Sequence, residues 1–267
     1  MKTDHLFDIH GKVVVITGGA GGIGGGLCEI LAQNGVRVAI IDLNPDAIDS
    51  KVNQMCAIGS EVRGYVANIV DEQSVQDAFA AIYRDFGSIY GLINCAGISY
   101  VSYLSEMPIE KWQGVMDVNL RGTVLCTKTA ASYMEKDGGG RVINISSLAA
   151  THGKPKYTAY TPSKAAVNAF TFTVAAEWGL KNICVNAISP VMVVTDINRV
   201  QIETNPGYLD NVIKTIPQGR ACSAELLIGT VIFLLSEASS YVTGQCIGCD
   251  GGSENGDVFV IRPQEPA

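Results

Sequence analysis

The sequence predicts an α/β fold: a single domain across residues 1–267, built as a doubly wound parallel sheet of about seven strands with helices on both faces. Three observations lead there. Continuous apolar runs such as "KVVVITG" (12–18) and "NICVNAISP" (182–190) have the character of central parallel strands buried on both sides. Longer helical stretches alternate with them, which calls for right-handed crossovers between parallel strands. No Pro/Gly/Ser-rich linker and no internal repeat divides the chain.

The elements follow in order. After the strand at 12–18, "IGGGLCEILAQNG" is helical and "VRVAIID" (36–42) is the second strand. Pro45 stands at a helix start, where its missing N–H is harmless, and opens the helix of "PDAIDSKVNQMCAIG". "EVRGYVANI" (61–69) is the third strand, 74–87 a helix and "YGLINCAG" (90–97) the fourth strand. A single long helix is expected over 109–134, then strand 140–147, helix 160–179, strand 182–190, a helix from Ser223 to Leu235 and a last strand around 245–249. The segment of about 190–218 is left as a loop within the same domain.

Composition narrows the function. The chain is 47% hydrophobic and 17% charged, with net charge −7 and pI about 5.0, so it has no basic footprint for nucleic acid or anionic lipid. The polar start "MKTDHLFDIHGK" lacks a signal-like apolar run, and no run of 18 apolar residues occurs, so a cytoplasmic protein without membrane spans is expected. The eight cysteines are scattered, as reduced core thiols would be. "CIGC" (246–249) has C-x-x-C spacing but sits in a short apolar stretch before "DGG", which reads as a strand and its turn. Three histidines without ligand spacing give no metal site.

The first strand runs straight into "TGGAGGIGGG" (17–26), which becomes a helix. Glycines there let backbone N–H groups approach a pyrophosphate, and the helix dipole favours its negative charge. This strand, turn and helix mark a Rossmann-type nucleotide site. Asp42 ends the second strand, 18 residues beyond Gly24. Its carboxylate suits the adenosine ribose hydroxyls and repels a 2′-phosphate, and no Lys or Arg follows directly to neutralise one, so NAD is expected over NADP.

The glycine pattern T-G-x-x-x-G-x-G (Thr17, Gly18, Gly22, Gly24), with "NCAG" (94–97), "VNL" (118–120), "NISS" (144–147), "YTPSK" (160–164) and "NAISP" (186–190), resembles the short-chain dehydrogenase/reductase family. The motifs appear in the family's order and span residues 12 to 252. The resemblance implies a catalytic tetrad of Asn119, Ser147, Tyr160 and Lys164. Moving hydride between an alcohol carbon and nicotinamide requires a proton acceptor at the hydroxyl, and a free tyrosine, with pKa about 10, is a poor base. Lys164, one helical turn from Tyr160, would favour the tyrosinate, while Ser147 would hold the substrate oxygen. In the family the lysine also binds the nicotinamide ribose and the asparagine positions a water.

By the same resemblance, Ile23 and Leu43 join Gly18, Gly22, Gly24 and Asp42 around the cofactor. Asn68 and Ile69 fall near the adenine, and Asn94, Ala96 and Gly97 follow the fourth strand. Pro190, Val193 and Thr195 approach the nicotinamide. Three positions depart from the family pattern: Cys95 replaces an Asn, Asn68 an Asp, and Val191 a Gly. Since Val avoids positive φ, the loop after Pro190 is expected to take a different path.

Substrate choice is expected in Ser99 and Tyr100, in the loop 148–157 with His152, Lys154 and Tyr157, and in Met192 within 190–218. The reading is an NAD-dependent oxidoreductase of a secondary alcohol or ketone, by resemblance a polyol, sugar or sugar acid as in gluconate 5-dehydrogenase-like members. A 3-oxoacyl-[acyl-carrier-protein] reductase, a hydroxysteroid dehydrogenase and a nucleotide-binding sensor remain alternatives. The helix 160–179 is apolar nearly all round and must be covered on several sides. By resemblance it pairs with a partner subunit in a homotetramer or homodimer.

Overall fold

The structure is a computed structural model, and it describes residues 5–254. Seven parallel strands form one sheet in the order β3-β2-β1-β4-β5-β6-β7. They are β1 (Val13–Thr17), β2 (Arg37–Asp42), β3 (Val62–Val66), β4 (Gly91–Asn94), β5 (Gly140–Ile145), β6 (Ile183–Pro190) and β7 (Cys246–Cys249). Strand order reverses between β1 and β4, and the two strands' carboxyl ends part there to open a crevice.

Side chains alternate along each strand, so each apolar run feeds two cores. Val14, Ile16, Val38 and Ile40 face α1 (Gly22–Gln33), α2 (Pro45–Cys56) and α9 (Ala224–Leu235). Val13, Val15, Ala39 and Ile41 face α3 (Glu72–Phe86), α5 (Thr123–Met134) and α6 (Tyr160–Trp178). Local signals set the helix ends: Asn44 Oδ1 caps α2 through the Ala47 N–H (3.2 Å), Asp71 caps α3 through the Ser74 N–H (2.7 Å), and left-handed Gly87 ends α3.

Two expectations change. The stretch 109–134 is helical throughout, but α4 (Ile109–Met116) and α5 are joined by a π-helical turn, Asp117–Gly122. The segment 190–218, read as a loop, contains α7 (Asp196–Thr204) and α8 (Tyr208–Lys214). Thr195 precedes α7, and its N–H donates to Asn198 Oδ1 (3.1 Å), the return bond of a capping box with Asn in place of the usual Glu or Gln. That substitution hides the helix start from a sequence reading.

Strands three to five are shorter than expected. Residues 67–69, 95–97 and 146–147 leave the sheet at its carboxyl edge and line the crevice. Cys246 and Cys249 do lie on a strand, where residues three apart point to opposite faces, so this pair cannot close on one ligand. Among the described residues no helix is long and apolar enough to cross a membrane.

Candidate active site

The crevice above β1 and β4 begins with the glycine turn. Gly18 (φ +66°) and Gly22 (φ +55°) occupy the left-handed region. A Cβ on Gly18 would lie 2.8 Å from the Ala96 Cα, and one on Gly24 only 2.3 Å from the Gly18 carbonyl oxygen. No side chain caps α1 at Gly21, so the amides of its first turn stay open to an anion. Thr17 closes the floor, its hydroxyl oxygen accepting from the Cys95 N–H (3.1 Å) and the Ala96 N–H (3.2 Å).

Beside the turn lies a cavity of about 320 Å³, whose lining includes Gly18, Gly22, Ile23, Asp42, Leu43 and Asn68, with Ile69, Ala96, Gly97 and Thr195 completing the expected set there. Asp42 is held rigidly, one oxygen accepting from the Ala20 N–H (3.2 Å) and the other from the Leu43 N–H (2.8 Å). The open helix terminus, the glycines that let backbone come close and the fixed carboxylate suit a dinucleotide.

A second cavity of about 430 Å³ adjoins the first, sharing Ile23, Cys95, Gly97 and Thr195 with it. Ser147, Tyr160 and Lys164 line its inner wall, and Ser99, His152, Tyr157, Pro190, Met192 and Val193 also border it. Tyr160 is the first residue of α6, and its ring meets that of Tyr157 edge-on with centroids 6.0 Å apart. Lys164, one turn further, is buried. Its Nζ donates to the Ile145 carbonyl at 2.8 Å and stands 5.8 Å from the centre of the Tyr160 ring.

Electrostatics differ from the simple expectation. Burial holds the Tyr160 phenol above its ordinary pKa, and hydrogen bonding with Ser147 pulls it only partly back. Burial also lowers the Lys164 ammonium to about 8. Lys164 is committed to a carbonyl and stands 5.8 Å from the centre of the ring, and burial of the phenol outweighs its favourable partners, so the net shift of the tyrosine is upward. At pH 7 the free protein therefore carries a neutral phenol beside a charged lysine.

Asn119 lies in the π-helical turn and is fully buried. Its Oδ1 accepts from the Ile98 N–H (2.8 Å), while Nδ2 donates to the Ile98 carbonyl (3.0 Å) and to Ser163 Oγ (2.9 Å). With its amide fully engaged, the side chain ties the loop after β4 to the first turn of α6. Asn94, expected at the cofactor, turns inward instead: Nδ2 donates to Thr127 Oγ1 and Asn144 Oδ1, both at 2.8 Å. Asn144 in turn donates to Thr171 Oγ1 on α6 (2.9 Å). Asn94 thus serves beneath the site and lines neither cavity.

Val191 borders the substrate cavity without positive φ, so the loop needs no glycine there. Burial pushes the Cys95 thiol up to about 12, which makes it an unreactive wall residue. Sequence reasoning missed Val118 at the cavity beside the glycine turn and Asn198, Tyr208 and Val212 at the cavity that holds Tyr160. The last three belong to α7 and α8, and only recognition of those helices could have found them.

The family profile described as enoyl-(acyl carrier protein) reductase matches residues 18–254. The chain is 32% identical over 252 residues to D-threitol dehydrogenase of Mycolicibacterium smegmatis, covering 94% of this chain and 96% of that one. It is 36% identical over 244 residues to the 3-oxoacyl-[acyl-carrier-protein] reductase FabG of Thermotoga maritima, covering 91% and 98%. The crystal structure of a gluconate 5-dehydrogenase from Burkholderia cenocepacia in complex with NADP and tartrate superposes with TM-score 0.90 at 29% identity, covering 94% and 98%.

Proposed function

Because the chain belongs to the short-chain dehydrogenase/reductase family and is an NAD(P)-dependent oxidoreductase of CH–OH groups, we propose that it interconverts a polyol, sugar or sugar acid and its ketone, with NAD as cofactor. The observation that carries this reading is the meeting of Ser147, Tyr160 and Lys164 on the wall of a cavity that opens onto the glycine cradle. D-threitol dehydrogenase and gluconate 5-dehydrogenase among the similar proteins support the substrate class.

Bound nicotinamide dinucleotide supplies the hydride acceptor or donor and, when oxidised, a positive ring. The chain's residues manage the proton and the orientation. In the free protein Ser147 is hydrogen-bonded with Tyr160, and with substrate bound its single hydroxyl proton turns to the substrate oxygen, holding and polarising it. Tyr160 takes the hydroxyl proton during oxidation and returns it during reduction. Lys164 is buried within one turn of it and stabilises the tyrosinate once the phenol ionises. Asn119 is a positioning residue, acting through Ile98 and Ser163.

The test is a screen of polyols, sugar acids, hydroxysteroids and β-hydroxyacyl thioesters with the full chain, followed by reduced-cofactor absorbance. Turnover confined to acyl thioesters would transfer the reading to the FabG-like alternative.

Asp42 carries the NAD preference, since its fixed carboxylate lies at the cofactor cavity and repels a 2′-phosphate. Asp42→Ala should narrow the ratio of kcat/KM for NAD over NADP by about tenfold or more, a charge-assisted contact being involved. A wild type that already prefers NADP would remove the basis of this assignment.

A cytoplasmic homotetramer, or failing that a homodimer, is the assembly we infer. Phe172, in the middle of α6, is 51% exposed in the single chain and gives a partner subunit an apolar side chain to cover. Light scattering at micromolar concentration should give a mass of two or four chains; a monomer would refute it.

A further inference from the structure

The mouth of the catalytic cavity carries a feature that the reaction itself does not require. Lys154, in the loop after β5, places Nζ 4.6 Å from the centre of the Tyr157 ring and 5.8 Å from that of Tyr208. The same Nζ approaches the Tyr208 hydroxyl at 3.5 Å, so Lys154 links the loop to α8. Lys154, Tyr157 and Tyr208 all line the cavity.

The surrounding charge is one-sided. The chain has 26 acidic residues against 19 Lys and Arg, yet no Asp or Glu is among the described residues lining this cavity. Among the described residues Lys154 is in no ion pair, a state it shares with Lys156 and several other exposed lysines, but unlike them it lines the cavity that holds Tyr160. The nearby Glu254 carboxylate accepts from Thr151 Oγ1 (3.1 Å) and does not line the cavity. An ammonium seated against the Tyr157 ring and the Tyr208 hydroxyl, without a counter-ion, is a preorganised partner for a substrate anion.

We propose that Lys154, flanked by Tyr157 and Tyr208, binds the carboxylate of an acidic substrate and makes the enzyme select sugar acids over neutral polyols. The Tyr157 ring is 6.0 Å from the Tyr160 ring and 4.6 Å from the ammonium, and all three side chains line the one cavity, so a single substrate can meet both the tyrosine and the lysine. The unpartnered, buried Ser99 Oγ, also on this cavity, offers a contact to an intermediate hydroxyl.

This inference rests on the substrate class proposed above, and its test does not need turnover. D-Gluconate and D-glucitol have the same length and differ at the terminal carbon, carboxylate against hydroxymethyl. Each is titrated calorimetrically into the full chain saturated with NADH. D-Gluconate should bind about tenfold or more tightly than D-glucitol. Lys154→Met should abolish that discrimination, Lys154→Arg should restore most of it, and the neighbouring Lys156→Met should leave it intact.

Equal binding of the two compounds by wild type, or discrimination that survives Lys154→Met, would overturn the assignment. D-Glucitol 6-phosphate binding more tightly than D-gluconate would also overturn it, showing that the ammonium reads phosphate. Failure to oxidise any alcohol while the Lys154-dependent discrimination persists would defeat the proposed reaction and leave this inference standing.

Discussion

Tyr160→Phe should lower kcat by at least about 100-fold, the usual contribution of a positioned acid–base group, while binding of the reduced cofactor changes little. The change removes one oxygen from a side chain whose ring packing against Tyr157 survives, so folding gives no alternative cause for lost activity. Since burial keeps the wild-type phenol above its ordinary pKa, activity in the oxidative direction should climb with pH across the neutral range. The residual activity of Tyr160→Phe should lose that dependence. Steady-state kinetics with cofactor titration by fluorescence checks both parts. A variant within a few-fold of wild type would place the proton acceptor elsewhere.

Gly24→Ala should weaken NAD binding by about 10- to 100-fold, the equivalent of the 1–3 kcal/mol typical of forced overpacking. A methyl group there would sit 2.3 Å from the Gly18 carbonyl oxygen and 2.9 Å from its carbonyl carbon, both backbone atoms that no rotamer change can move. Relief requires the turn to open, which displaces the α1 amides from the anion position. Titration calorimetry measures the loss, and thermal denaturation should show a lower melting temperature in the same variant. Affinity within twofold of wild type would mean that the turn does not cradle the phosphates.

What the sequence made legible follows from chain-local rules. Apolar runs and helical periodicity marked all seven strands and the doubly wound parallel sheet, because strand burial on both faces leaves a direct trace in composition. The glycine turn was readable because it follows β1 directly, whereas the spacing of Tyr160 and Lys164 on one helix gained meaning only from the family resemblance. The less legible parts depend on partners far along the chain. Asn94 looked like a cofactor residue, and only Thr127 and Asn144 reveal its inward role. Lys154 suggested a cationic loop, but its pairing with Tyr208 depends on α8, whose short helix carried no strong start signal. The raised Tyr160 pKa was equally invisible, since desolvation is a property of everything packed around the ring.

The amide-to-hydroxyl chain under the floor has a consequence for the precision of the site. The apolar contacts of α6 alone give little preference for one rotation or height against its neighbours, since sliding the helix exchanges one greasy contact for another. Thr171 lies 11 residues beyond Tyr160, roughly three turns, and so on the same stripe. Its hydroxyl is bound by Asn144, which is bound in turn by Asn94. This buried latch acts as a surveyor's benchmark: it fixes the azimuth at mid-helix, as the Ser163 and Lys164 bonds fix it in the first turns, and together they set the aim of the tyrosine at its tip.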